Sequence, residues 1–312
     1  LMHQTVEKFR TWMPDCNGGA CGEGTADDHA DVVVATLGTI LSRGAPPCTD
    51  LYVDEVHHVT NAEAWREELL GIPAVRRYGL SATIDVSLKK TNESGAIWIR
   101  GLCGRIAYDV SASDLIELGF LKRPTIHFVR YDGPNLPVAW SAKTIELGIV
   151  HNAARNDQIV RIALEQVEAG RRVLIDVERI PHGRLLTDAL KAVLPPGRVS
   201  WLCGSHVRST RVAALQEFAS GRCPVLVSTL LGEGNDIPLL EVVIVGGGGK
   251  SGIQTMQRLR NLTAAPGKGD VHVYDFADFG QRHLQSHSAA RLATYRGERA
   301  FCVRIEDRRS AR

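Results

Sequence analysis

Short apolar runs recur along the chain and are separated by segments whose apolar positions repeat at helical spacing. Runs rich in Val, Ile and Leu are typical of parallel strands that are buried on both faces of a sheet. The runs predicted as strands are Val32–Thr36, Leu51–Asp54, Tyr78–Ser81, Arg172–Ile175, Val199–Cys203, Val225–Ser228, Val242–Val245 and Val271–Tyr274.

Several of the intervening segments carry the spacing of an amphipathic helix. In Asn152–Glu168 the apolar stripe includes Ile159 and Ile162, and Arg208–Ser220 and Ser251–Leu262 show the same pattern. The alternation of strands and helices predicts the α/β class, with two doubly wound domains that each contain a parallel sheet.

The length of 312 residues agrees with about two domains. We place the boundary near Gly119–Pro124, directly after the helix-like segment Ser113–Leu118. The predicted domains are therefore 1–120 and 121–312. Within the first, Cys16–His29 is rich in Gly and Asp and is predicted to be an exposed loop.

Composition and charge argue against several classes of protein. Apolar residues at 44% and charged residues at 23% are ordinary for a globular protein, and a net charge of +2 provides no global basic field for nucleic acid. The seven Cys form no CxxC pair, which argues against a disulfide framework or a zinc ribbon and is typical of a reducing cytoplasm. No run of 18 apolar residues occurs, so no membrane partner is expected.

The strongest chemical signal is Asp54-Glu55-Val56-His57, which follows the apolar run Leu51–Val53. Two carboxylates at the mouth of a strand can divide their work. One can hold Mg²⁺ through water, while the other orients a nucleophilic water towards a γ-phosphate. A lone pair of this kind would favour a solvated strand end, so the decision rests on the other motifs.

With those motifs, the chain resembles superfamily 2 helicases and translocases of the DEAD/DEAH-like phage UvsW, XPB and restriction-enzyme motor subunit types. The matching segments occur in the family's order and span nearly the whole chain. They are Val34–Thr39 for motif Ib (with Gly38 where Gln is usual), Asp54–His57 for motif II, Ser81–Thr83 for motif III, Val177–Ile180 for motif IV, Ser228–Pro238 for motif V and Gln257–Arg260 for motif VI.

The resemblance implies two RecA-like domains, with ATP bound between them and nucleic acid crossing both. The activity it implies is that of an ATP-dependent DNA helicase or translocase, with RNA as the other substrate, in a bacterial or phage-infected cell. Leu1–Gln4 and Phe9 resemble motif Ia, the segment that follows the Walker A loop in the family. The first domain is therefore expected to be truncated at its N-terminus, with the loop supplied by a missing segment or a partner subunit.

The resemblance also implies roles for individual residues. Asp54 would hold Mg²⁺ through water and Glu55 would activate the attacking water. The other residues implied in catalysis are His57, which links nucleotide state to motif VI, and Gln257, Arg258 and Arg260, of which the two arginines are candidate arginine fingers.

Three further groups are implied by the same motifs. Glu233, Gly234 and Asp236 would lie near the nucleotide. Ser81, Ala82 and Thr83 would couple the two domains. The residues implied in contacting nucleic acid are Thr36, Ser228, Thr229 and Gly232.

Motif VI departs from the family pattern Gln-Arg-x-Gly-Arg-x-x-Arg. The Gly is missing, so Arg260 aligns with the middle Arg only through a gap, and Thr263 replaces the last Arg. Two interpretations therefore stay open. One is a working ATP-dependent motor, and the other is a non-catalytic nucleic-acid-binding or assembly subunit, or a fragment, that keeps the helicase scaffold.

A glycine run before motif VI imitates a phosphate-binding loop. Gly246–Gly249 is followed by Lys250 and Ser251, but the pattern GxxxxGK[ST] requires Gly where Ile244 stands. We therefore predict that this run is not the ATP loop.

Overall fold

The computed structural model of the protein describes residues 2–22, 24–60, 63–81, 93–136, 142–230, 240–249 and 270–309. The chain divides into two compact units, Leu1–Tyr108 and Asp109–Arg312. Within the described ranges, no helix is both long enough and apolar enough to cross a membrane.

The first unit contains two small sheets with helices packed on them. A three-stranded sheet has the order β2-β1-β3, and β4 and β5 form a separate parallel pair. The elements are α1 Met2–Trp12, β1 Gly18–Gly22, β2 Thr25–Ala26, β3 Val32–Ala35, α2 Leu37–Arg43, β4 Asp50–Val53, a 3₁₀ helix Val56–Thr60, α3 Glu63–Gly71, β5 Arg76–Gly79 and α4 Glu93–Cys103.

Strand β1 corrects the first part of the exposed loop predicted at Cys16–His29, whereas residues 24–29 are exposed as predicted. All five of its residues are buried, and it pairs in parallel with β3. A Cβ on Gly19 would lie 2.4 Å from the Asp27 carbonyl oxygen, so the close approach of the neighbouring chain requires glycine there. The glycine content that resembles a turn therefore serves tight packing in a buried strand.

The parallel pair β4–β5 has one face on a compact apolar core. Val53, Val56 and Leu69 are among the buried residues of that core, together with Ile99 and Leu102 of α4. Val53 is the last residue of β4 and Val56 lies just beyond it, so this core anchors the chain on both sides of the end of the strand.

The second unit is built on one seven-stranded sheet. Its elements are α5 Ala112–Glu117, β6 Pro124–Arg130, α6 Ala142–Ile145 continuing into a π-helix Glu146–Val150, α7 Ala153–Glu168, β7 Val173–Asp176, α8 Ile180–Lys191, β8 Val199–Leu202, α9 Arg208–Ala219, β9 Val225–Ser228, β10 Val242–Val245, β11 Val271–Phe276, α10 Arg282–Gly297 and β12 Cys302–Asp307.

All neighbouring strands of this sheet run parallel, in the order β12-β6-β11-β10-β7-β9-β8. Alternate residues of each strand point to opposite sides of the sheet. Both faces are covered by apolar cores that include helix residues. Ile175 and Ile244 belong to the core beneath α7 and α8, whereas Leu174 and Val243 belong to the core that contains Phe218 of α9. This is the doubly wound arrangement that the apolar strand runs predict.

The division between the units falls earlier than the predicted boundary at Gly119–Pro124. Helix α5, which the prediction assigned to the first domain, packs in the second unit through Ile116. Ser113 Oγ donates a hydrogen bond of 2.6 Å to Glu298, and Arg299 pairs with Asp114 at 2.8 Å. These partners lie far along the chain, so the local sequence does not reveal them.

The sheet contains a topological switch point between β7 and β10. From β7 the chain continues to β8 and β9 on one side, and from β10 it continues to β11 and β12 on the other. Connections that leave in opposite directions open a crevice at the carboxyl ends of two adjacent strands, which is where ligands bind in open α/β sheets.

The predicted strands agree with the structure to within a few residues at their ends, except that two strands of the large sheet were not predicted. These are β6 and β12, which are neighbours at one edge. The predicted helices at Asn152–Glu168 and Arg208–Ser220 are confirmed as α7 and α9. The predicted helix Ser251–Leu262 lies outside the described residues.

Candidate nucleotide-hydrolysis site

Asp54 and Glu55 lie at the carboxyl end of β4, beside the end of β5. The two strands pair in parallel, with Val53 opposite Gly79. Beyond this pair, the Leu80 N–H donates to the Val53 carbonyl at 2.9 Å and the Val56 N–H donates to the Leu80 carbonyl at 3.0 Å. These bonds hold the segments after the two strands together, which brings predicted motifs II and III side by side.

The backbone at Glu55 is unusual. Its φ angle is 51°, and among the described residues it is the one non-glycine residue with positive φ. Asp54 Oδ1 accepts a hydrogen bond from the Glu55 N–H at 2.9 Å, and the Glu55 carbonyl accepts from the His58 N–H at 3.0 Å, where the 3₁₀ helix begins. Left-handed backbone costs free energy in a residue with a Cβ and is concentrated at functional sites.

His57 joins Glu55 to Ser81. Its ring is buried, with 7% of the residue exposed, and its Nδ1 lies 2.9 Å from Ser81 Oγ and 3.3 Å from Glu55 Oε2. The shorter of the two contacts is the hydrogen bond with Ser81 Oγ, in which either the imidazole Nδ1 or the hydroxyl is the donor. Three residues that the sequence selected from two separate motifs therefore meet in one group.

Asp54 provides the exposed carboxylate of the pair, while the Glu55 side chain is only 20% exposed. A hard oxygen ligand at the mouth of a strand suits Mg²⁺, especially when water completes the coordination. The described residues contain no group of three or more His, Cys, Asp and Glu side chains that could hold a metal ion.

Thr36 occupies a different place in the first unit. It follows β3 and caps helix α2, where its Oγ1 accepts a hydrogen bond from the Thr39 N–H at 3.4 Å and lies 2.9 Å from Thr39 Oγ1. The strand before it belongs to the three-stranded sheet and not to the β4–β5 pair.

Ser228 and Thr229 lie at the carboxyl end of β9 in the second unit. Ser228 is 4% exposed, and its Oγ accepts a hydrogen bond from the Leu230 N–H at 3.0 Å. The Thr229 N–H donates to the Leu202 carbonyl at 3.1 Å. The Ser228 hydroxyl therefore shapes the turn after the strand, and Thr229 is the more accessible of the two.

The remaining predicted site residues lie outside the described part of the chain. They are Ala82, Thr83, Gly232, Glu233, Gly234, Asp236, Gln257, Arg258 and Arg260.

A cavity that the sequence did not reveal occupies the switch point of the second unit. Its volume is about 70 Å³, and the residues that line it include Arg179 and His182 after β7 and Gly247–Gly249 after β10. His182 is 1% exposed, and its Nε2 lies 2.8 Å from Asn156 Oδ1. Burial, reinforced by the positive charge of Arg155, lowers the pKa of His182 to about 3.

The glycine run at this cavity is held by the protein itself. The N–H groups of Gly246 and Gly247 both donate to the Asp176 carbonyl, at 2.7 and 3.1 Å. Arg155 and Arg291 donate to carbonyls of the run from below. A phosphate loop would direct such amides at an anion, so this geometry agrees with the prediction that the run is not an ATP loop.

Comparison with known proteins gives a consistent result. No family model matches the chain. In sequence, the chain is 27% identical over 245 residues to a protein of Sulfolobus islandicus filamentous virus described as "Putative helicase 22", with 72% of the chain and 41% of that protein covered. The chain thus spans about two fifths of the length of this curated relative.

In structure, the chain is similar to S. cerevisiae Dbp5 bound to RNA and ADP BeF3, with a TM-score of 0.65 and 14% identity over 99% of the chain and 74% of Dbp5. It is also similar to a fragment of "a putative HsdR subunit of a type I restriction enzyme from Vibrio vulnificus YJ016", with a TM-score of 0.69 and 14% identity over 97% of the chain and 56% of that fragment. At these identities the likeness establishes the fold.

The chain resembles the superfamily 2 helicases. The predicted resemblance and the predicted α/β class with RecA-like domains are both confirmed.

Proposed function

We propose that this helicase-like chain hydrolyses ATP with Mg²⁺ and couples the reaction to movement along nucleic acid, with DNA as the substrate. The observation that carries the proposal is the group formed by Glu55, His57 and Ser81 at the ends of two adjacent strands. A solvated strand end would not need a strained glutamate, a buried imidazole and a hydroxyl from the next strand in contact with one another.

The geometry supports a division of roles between the two carboxylates. Asp54 would hold Mg²⁺ through water, and the ion would neutralise charge on the phosphates. Glu55 is held beside the His57 Nδ1, at 3.3 Å, and would orient the attacking water and accept its proton. His57 would hold that carboxylate in one orientation. The contact of 2.9 Å between His57 Nδ1 and Ser81 Oγ would connect the carboxylate to predicted motif III.

The nucleotide-binding and nucleic-acid-binding roles implied for Glu233, Gly234, Asp236, Thr36, Ser228, Thr229 and Gly232 belong to the same proposal, as do the coupling roles of Ser81, Ala82 and Thr83. Gln257, Arg258 and Arg260 are proposed to act on the transferring phosphate. In the structure of Dbp5 that the chain resembles, RNA and ADP BeF3 are bound together. This supports ATP as the cofactor and makes RNA the substrate to compare with DNA.

The second candidate function is a non-catalytic nucleic-acid-binding or assembly subunit. It is favoured by motif VI, where the Gly is missing and Thr263 stands in place of the last Arg. An arginine that reaches a transferring phosphate contributes several orders of magnitude in rate, so a motor that lost this residue could still bind nucleic acid without turnover.

The test is ATP turnover by the chain with and without single-stranded DNA or single-stranded RNA, compared with Glu55→Gln. Glu67→Gln is the matched control, because Glu67 is an exposed glutamate on α3 in the same unit. We expect nucleic-acid-stimulated turnover that falls at least 100-fold in Glu55→Gln and is unchanged in Glu67→Gln.

Two outcomes would count against the motor. Equal turnover in Glu55→Gln and the unmodified chain would remove Glu55 from the reaction. Nucleic-acid binding without any turnover, and with an affinity that ATP does not change, would select the non-catalytic subunit.

A further inference from the structure

Beneath the glycine run of the second unit lies a cluster of four buried charges. Arg155 of α7 and Arg291 of α10 are both 0% exposed, and Asp275 and Asp278 lie at and just after the end of β11. Arg155 Nε donates to Asp278 Oδ1 at 2.8 Å, while Arg291 donates to Asp275 Oδ2 at 2.9 Å and to Asp278 Oδ2 at 3.0 Å. Asp278 thus bridges two helices.

The cluster is balanced in charge, which makes its burial tolerable. Burial alone would lower the pKa of Arg291, but Asp275 and Asp278 outweigh that effect and raise the pKa above its usual value. A guanidinium has five N–H donors and no acceptor, so the buried N–H groups of both arginines need acceptors.

The N–H groups that the carboxylates do not use are directed mainly at one loop. Arg155 Nη1 donates to the Gly246 carbonyl at 2.6 Å, and its Nη2 donates to the carbonyls of Val245 at 3.2 Å and Gly247 at 3.3 Å. Arg291 Nη1 donates to the Gly249 carbonyl at 2.8 Å. Two arginines from two helices therefore hold the run from its first residue to its last.

The opposite side of the run is also confined. A Cβ on Gly248 would lie 2.6 Å from Ile149 Cδ1, and one on Gly246 would lie 2.7 Å from the Asp176 carbonyl oxygen. Four glycines in a row are otherwise the most flexible backbone that a chain can have. Here the arginines and the packing remove that freedom at the switch-point crevice, next to Arg179 and His182.

We propose that Arg155 and Arg291 are positioning residues, which act through the carbonyls of Gly246–Gly249 to set the geometry of the switch-point crevice for nucleic-acid-dependent turnover. The inference rests on the proposed function. The run is placed for this task, because it forms one wall of the crevice and leads in sequence to Gln257, Arg258 and Arg260.

The decisive variant is Arg155→Lys. Lysine keeps the positive charge beside Asp278, but its ammonium cannot reproduce the fork that reaches three carbonyls at once. Arg161→Lys is the matched control, since Arg161 lies on the same helix and is exposed. If Arg155→Lys fails to fold, Arg291→Lys takes its place, with the exposed Arg296 of α10 as its control.

Two quantities are measured in the whole chain. The first is amide hydrogen exchange of Gly246–Gly249, with β7 and β10 as internal references. The second is ATP turnover with and without single-stranded DNA or RNA. In Arg155→Lys we expect exchange at least tenfold faster in the run and unchanged in the strands, together with at least a tenfold loss of stimulation by nucleic acid.

Unchanged exchange in the run would overturn the proposal, and so would faster exchange with full stimulation. Faster exchange across the whole unit would mean a purely structural role and would also overturn it. If the unmodified chain has no turnover, the proposed function fails. The positioning role is then tested by itself, by comparing the affinities of the two proteins for nucleic acid. A tenfold weaker affinity in Arg155→Lys supports positioning, whereas equal affinity or no binding by either protein overturns it.

Discussion

His182 shows how a single buried side chain links stability to pH. The folded protein holds this histidine neutral, because burial lowers its pKa from 6.5 to about 3. The unfolded chain binds a proton near pH 6.5, so acid favours unfolding. The contribution of His182 to stability is complete above pH 6.5 and is lost as the pH falls towards 3, by about 1.4 kcal/mol for each pH unit.

The corresponding experiment compares the chain with His182→Gln, because Gln keeps an N–H donor for Asn156 Oδ1 but does not titrate. Between pH 5.5 and pH 4.5, we expect the free energy of unfolding of the unmodified chain to fall about 1.4 kcal/mol further than that of His182→Gln. Urea denaturation at the two pH values measures this change in the free energy of unfolding. His29→Gln, at an exposed histidine, should behave like the unmodified chain, and parallel pH profiles for all three proteins would contradict the assignment.

At the residue scale, the order and types of the residues predicted side chains that the structure brings together, but not the backbone conformation that holds them. Asp54, Glu55, His57 and Ser81 stand out because their order and types match known motifs. The positive φ of Glu55 is not visible in the sequence, since glutamate has no preference for left-handed backbone.

Arg155 and Arg291 were missed for a related reason. Each lies in an ordinary helical segment, where an arginine is normally solvated. Their burial depends on Asp275, Asp278 and the Gly246–Gly249 carbonyls, which come close only in the folded unit. A local pattern cannot encode partners that distant in the chain.

At the element scale, helix α8 is seated against β8 through a glycine. A Cβ on Gly183 would lie 2.0 Å from Trp201 Cζ3, so Gly183→Ala must push the helix away from the sheet or displace the indole. We expect a loss of about 2 kcal/mol in the free energy of unfolding, measured by urea denaturation with the unfolding of the second unit as the signal.

Gly297→Ala is the matched control at the end of α10. Nothing lies within 4 Å of a Cβ at Gly297, and its φ is not in the left-handed region. It should be neutral or slightly stabilising, since alanine restricts the unfolded chain. Equal stability of the two alanine variants would show that α8 and β8 adapt without cost.

The strands show which elements a hydrophobic pattern can predict. Runs such as Val225–Ser228 and Val242–Val245 were located correctly, because strands buried on both faces are almost wholly apolar. Strand β6 was missed, and it carries His127, a buried polar residue whose ring nitrogens contact Glu306 and His272. Strand β1 was missed because glycine indicates a turn unless its neighbours are known.

At the scale of the whole molecule, the two units have separate cores. Leu69 belongs to the core beneath β4 and β5, and Leu186 belongs to the core beneath α7 and α8. The length of the chain predicts that it can form two cores. The place where the first unit ends depends on contacts between α5 and residues near the end of the chain.

Separate cores predict separate unfolding. Leu69→Ala and Leu186→Ala should each cost about 2–5 kcal/mol, but in different units. Hydrogen exchange in β4 and β5 should rise only in Leu69→Ala, and exchange in β7 and β9 only in Leu186→Ala. A rise throughout the chain in either variant would show that the units unfold together.

The buried charges of the second unit also constrain how this chain can change in evolution. Asp275 and Asp278 balance Arg155 and Arg291 out of contact with water. A substitution that removes one of these charges leaves a buried charge without its partner. Joint replacement of the charged residues by apolar residues leaves no such charge. The four positions should therefore vary together among descendants of this chain. Natural variants with only one of them altered should be rare, whatever happens at the surface around them.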